Sequence, residues 1–193
     1  MSRFWGSLQI AAATLLVWAL AGWSCTAHEK QFSAVTTENG ISISASLWPY
    51  ESLCDLPEPV LPVKESSAEV NTTISGPITI TGCHDLEKKW GKPTAVRIHV
   101  VNSGNAEAEF VLKGLAGIRL VKSTGTAEAA IGLQLRTPSP SGGSTLGIAN
   151  EFEGSITHRI PPGAGHDLVV LFKDAEEGDS VVIGEGKPVR IAK

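Results

Sequence analysis

Ile41-Ser42-Ile43-Ser44-Ala45-Ser46-Leu47 alternates apolar and small residues without a break. A strand with one buried face reads this way, because successive side chains leave a pleated backbone on opposite sides. A helix would repeat its apolar residues every three or four positions instead. The odd-numbered positions share a face, and Val35 has the same parity. Strand-like stretches return downstream at Pro77 to Thr81, Ala95 to Val101, Glu109 to Leu112, Gly117 to Val121 and Ile131 to Arg136. They continue at Ser155 to Ile160, Asp167 to Lys173, Ser180 to Ile183 and Val189 to Ile191. Turn-forming clusters such as Asn102-Ser103-Gly104-Asn105 and the Pro/Gly/Ser-rich run from Thr137 to Ser144 separate them. The three prolines between Leu56 and Val63 mark an edge or a connector. Residues 84–93 read as a polar connection punctuated by Gly91 and Pro93, and Ala127 to Ala130 as one helical turn at most. The pattern predicts an all-β fold, an antiparallel sandwich with Greek-key connections.

The N-terminus reads differently. Arg3 precedes a nearly uncharged apolar run from Leu8 to Gly22, and Cys25-Thr26-Ala27 supplies a small-x-small site before the charged His28-Glu29-Lys30. This is the layout of a cleaved export signal over residues 1–27. A retained anchor and a lipid attached at Cys25 are the alternatives. Cleavage after Ala27 leaves 166 residues, enough for one domain. The formal charge of the whole chain is −4, which argues against a nucleic-acid partner, since phosphate binding needs a basic footprint.

Export also governs the cysteines. Cys25 leaves with the signal, so Cys54 and Cys83 remain as two thiols in an oxidising compartment, where a disulfide is expected. The loop it closes holds 30 residues, a constraint worth roughly 3–4 kcal/mol. The rival is a metal pair helped by His84, but two cysteines so far apart lack zinc-site spacing.

Little else suggests chemistry. His28, His84, His99, His158 and His166 accompany no metalloprotease, redox, nucleophile-elbow or phosphate-loop motif. His84-Asp85 and His166-Asp167 each supply half of a triad without a recognisable nucleophile. His99 lies mid-strand beside Arg97 and suits a solvent face. Asp174 to Asp179 has the composition of a calcium loop but reads more readily as a hairpin tip with Gly178 at the turn. Asn71-Thr72-Thr73 has the form of a glycosylation acceptor. The expectation is a non-enzyme with no catalytic, cofactor or metal residues.

In order along the chain stand a signal peptide, the alternating segment from Thr36 to Leu47 leading to Cys54, and the alternating strand Pro77 to Thr81 running into Cys83. A strand at Ala95 to Val101, the Gly125 to Arg136 segment and a C-terminal hairpin from Asp167 onward follow. This ordered set resembles the chaperone–usher fimbrial subunits of Gram-negative bacteria, the type 1 pilin family.

The resemblance implies an incomplete immunoglobulin-like β-sandwich that lacks its last strand and is completed by a donated one. Residues 28–47 would be the donor extension, with Val35, Ile41, Ile43, Ala45 and Leu47 as the side chains entering a neighbour's groove, and residues 48–193 the pilin domain. Val189 and Ile191 would meet a periplasmic chaperone. An outer-membrane usher and other pilin subunits would be the further partners, and the product a surface fimbria supporting cell adhesion. A self-complete periplasmic or lipid-anchored immunoglobulin-like binding domain that never polymerises is the competing reading. A small hydrolase using His166 and Asp167 is a weaker third.

Overall fold

A computed structural model describes residues 35–36, 40–50, 70–138 and 144–193, and among them strands dominate. The expected export signal over residues 1–27, Cys25, Cys54 and the proline-rich stretch lie outside the described residues. All described residues fall in one unit, Phe32–Lys193.

The alternating segment forms β2, Ile41–Trp48. It pairs antiparallel along its whole length with β5, Thr94–Asn102, from Ile41 opposite Asn102 to Trp48 opposite Ala95. The other edge of β2 is shared. The short β1, Val35–Thr36, lies opposite Ile43 and Ser42, and the C-terminal β14, Val189–Ala192, runs parallel beside Ala45 and Ser46.

Outward from β5 come β12, Gly165–Phe172, then β9, Gly132–Pro138, then β10, Ser144–Phe152, then β4, Ile78–Thr81. Beyond β14 come β13, Ser180–Ile183, then β7, Ile118–Val121, then β8, Ala127–Ala129. These strands make one eleven-stranded sheet. A second sheet of three strands has the order β3, Asn71–Ser75, then β11, Ser155–Ile160, then β6, Ala108–Lys113.

Two strand pairs pass from one sheet to the other at a shared corner. β3 continues into β4 through Gly76, and β10 continues into β11 through Gly154. Gly76 has φ +94°, and a Cβ built on it would lie 2.7 Å from the Gly154 Cα. A Cβ on Gly154 would collide with the Ser75 carbonyl. The corner therefore requires glycine on both strands.

Inward-facing residues of both sheets share one core. Ile43, Ile98, Val100, Leu168 and Val170 of the large sheet join Phe110, Leu112, Ile156 and Ile160 of the small one. The outer face of the large sheet carries a second cluster of Tyr50, Ala95, Ile131, Ile148, Val169 and Leu171. Leu86, from the helix α1, Cys83–Trp90, belongs to that cluster, and Trp48 packs against it.

The helix α1 corrects the reading of residues 84–93 as a plain connection. Only Leu86 is buried along it, so no apolar repeat exists to reveal it. Its other supports are local: Asp85 in the first turn, Lys88 and Lys89 in the last, and Gly91 at the C-cap with φ 76°. Ala127 to Ala129 is strand rather than a helical turn, held by its ladder to β7.

Candidate functional site: the seam between the first and last strands

The residues expected to be donated lie in this chain's own core. Ile41, Ile43 and Ala45 are 2 %, 7 % and 3 % exposed, and Leu47 packs against the same cluster. Val35 is paired opposite Ile43. The positions expected to meet a chaperone are covered too. Val189 and Ile191 are buried in the same cluster, with Ile191 opposite Ala45. The expected boundary between an arm ending at residue 47 and a domain starting at 48 falls inside the β2 ladder, which runs through Trp48. Alternation set this parity: the odd positions of β2 face inward with Val96, Ile98 and Val100 of β5.

Cys83 opens α1 and packs against the outer cluster. Cys54, its expected partner, lies outside the described residues.

Next to that cluster, on the same outer face, is a polar network. Asp167 Oδ2 accepts a hydrogen bond of 2.6 Å from Arg97 Nη2, and its Oδ1 lies 2.7 Å from His99 Nδ1. Burial alone would raise the Asp167 pKa, but the bonds from His99 and Arg97 outweigh it and hold the carboxyl below its usual range. The Arg97 guanidinium also lies 5.2 Å from the centre of the Trp48 ring, on the neighbouring strand.

The dyad suggested by His166-Asp167 is split by strand alternation. Asp167 faces outward to Arg97 and His99, whereas His166 faces His158 of β11, with ring centroids 4.4 Å apart. His158 is 2 % exposed, its Nδ1 lies 3.0 Å from the Thr72 hydroxyl, and its Nε2 is buried without a hydrogen-bond partner. Burial, and then the neighbouring His166, push the His158 pKa down to about 3. Burial also lowers His166, with Asp167 opposing and His99 adding to the shift. The sequence held a signal for this pair. Ile156, His158 and Ile160 share the apolar parity, and the two histidines stand symmetrically about Pro161-Pro162-Gly163.

The acidic loop from Asp174 to Asp179 is occupied by a cation of the protein itself. Lys122 Nζ lies 2.9 Å from Asp174 Oδ1 and 3.5 Å from Asp179 Oδ2, and also reaches the Asp174 carbonyl. The buried Asp179 accepts from the backbone N–H groups of Ser123 and Glu176, both at 3.0 Å. Among the described residues no group of three or more His, Cys, Asp or Glu side chains is arranged to hold a metal ion.

Sequence reasoning also missed Asn102, which is fully buried. Its Nδ2 donates to the carbonyls of Ala106 and Ile160, both at 2.7 Å, and its Oδ1 accepts from Gly104 N–H at 2.9 Å. One side chain thus ties the end of β5 to its following turn and to the start of the β11–β12 connection. No family model, curated protein or solved structure matches this chain.

Proposed function

We propose that this chain is exported and works outside the cytoplasm as a self-complete immunoglobulin-like β-sandwich, a non-enzymatic binding domain that folds without a donated strand. The observation that carries this reading is the seat of β2. Its eight residues pair with β5, and its inward side chains fill the chain's own core. Withdrawing them would expose three buried apolar side chains and free one full edge of β5. At roughly 1.5–3 kcal/mol each, the two isoleucines alone account for about 3–6 kcal/mol, a large share of the stability of an ordinary domain. A Cys54–Cys83 disulfide belongs to the same proposal and would fasten the connection after β2 to α1.

One observation favours the fimbrial reading as a second proposal. The edge of β2 away from β5 is held by only two residue pairs to β1 and two to β14. That seam, parallel to the last strand, is where an exchanged strand would enter. In that reading the chain polymerises with other pilin subunits, helped by a periplasmic chaperone and an outer-membrane usher.

The test is to purify the exported chain from a periplasm lacking any added chaperone and incubate it with a labelled peptide of residues 35–48. The self-complete reading predicts a soluble folded protein that does not capture the peptide, and a chain lacking residues 28–48 that does not fold. Capture of the peptide, or a deletion that stays folded, would favour strand exchange.

A further inference from the structure

Among the described residues, the strands that end the order of each sheet differ in charge. In the small sheet β6 carries Glu109 and Lys113, and at one end of the large sheet β8 carries Glu128. Charged side chains on edge strands discourage pairing with another chain. The remaining two ends are β3 and β4, consecutive in sequence and joined at the Gly76 corner, and residues 70–83 contain no charged side chain at all. Every residue of β3 is exposed, and Ile74 and Ile80 are 40 % and 42 % exposed. This edge has β-branched residues, solvent access and no charged side chain of its own.

The geometry points to a second copy of this chain as that partner, joined through antiparallel pairing of β3 with β3 about a two-fold axis at Thr73. The edge is its own complement. With Thr73 opposite Thr73, Asn71 meets Ser75 and Thr72 meets Ile74, so no charge faces a like charge and each exposed Ile74 is covered. The outer-face row Val111, Thr157 and Thr73 within each copy would become one uncharged row across six strands. A two-fold contact closes on itself, so the product is a dimer and not a fibre. Its edge belongs to the small sheet, whereas β2 lies inside the large one, so the dimer is independent of the seam described above.

Five residues make a short ladder, so the association is weak, with a Kd expected between about 10 μM and 1 mM. Sedimentation equilibrium of the oxidised exported chain across that range tests it, alongside T73K and T73E. Thr73 faces outward, away from the Thr72–His158 contact, so both variants should keep the parent's circular dichroism and melting curve. Each variant alone should weaken dimerisation by about tenfold or more, and an equimolar mixture should restore it, because Lys then faces Glu. A parent that stays monomeric to about 1 mM, a dimer indifferent to both variants, or a mixture that fails to recover would each overturn the proposal.

Discussion

Ile191 stands opposite Ala45 in parallel register, so the last strand of the chain lies directly against the first long one. Both side chains are buried in the same core. In a β-sheet, parallel neighbours cannot be joined by a tight turn; here nearly the whole domain is the connection. The contact therefore forms only when the rest of the fold is in place. Truncating Ile43 or Ile191 to Ala should cost about 2–4 kcal/mol each, measured by urea unfolding of the purified chain. Unchanged stability for Ile43→Ala would mean that β2 is not part of the folded core.

Acid should loosen the contact between the two sheets at His158 and His166. Both histidines have pKa values below that of an unfolded chain, so the unfolded state binds more protons below about pH 6.5, and for His158 this holds down to about pH 3. Their stabilisation is complete above the ordinary histidine value and is lost as the pH falls through that window. For His158 alone the loss at pH 5 is about 2 kcal/mol. Asp167, held below its usual range, adds an acid-sensitive contribution only below about pH 4. Urea titrations at pH 7 and pH 5 should differ accordingly, and His158→Phe should flatten the profile between them. An equal pH dependence in that variant would contradict the assignment.

Asn102 satisfies three backbone groups from a fully buried position. Asn102→Ala leaves two carbonyls and one N–H without that partner, so it should destabilise by about 2–4 kcal/mol. Thermal unfolding compared with an exposed control, Asn105→Ala, measures the difference.

The corner makes a sharper demand. Gly154→Ala places a methyl group against the Ser75 carbonyl, and nothing flexible is available to give way. That variant should lose about 3 kcal/mol or more, or fail to accumulate. Gly125→Ala is the control: its φ of 89° is positive, unlike that of Gly154, but no atom lies within 4 Å of the added Cβ. Its cost should be confined to backbone strain, about 1–2 kcal/mol.

Much of this architecture is written in the sequence wherever one face of a strand is buried and the other is not. β2, β5 and β6 alternate cleanly, and their positions and inward parity follow directly from Ile41, Ile98 and Phe110. β10 escapes notice because it is covered on both faces at Ile148 and Ala149. Ile148 belongs to the outer cluster and Ala149 to the main core, so alternation is lost. β3 escapes for the opposite reason, since all five of its residues are exposed and polar residues predominate. α1 is too short for its single anchor, Leu86, to establish a period. The polar contacts depend on which strands become neighbours. Asp167 meets Arg97 and His99 only because β12 pairs with β5, and His166 meets His158 across the sheets. Alternation also could not say whose core β2 would fill, since a donated strand and a resident one carry the same pattern.

Amide hydrogen exchange of the purified, unassembled chain tests that last point most directly. If β2 is resident, the amides of Ile43 and Ala45 that bond within the ladder should exchange as slowly as those of Ile98 and Val100 in β5, at the rate set by global unfolding. If residues 41–47 exchange freely while β5 and β12 remain protected, β2 is an undocked arm and the domain is not complete on its own.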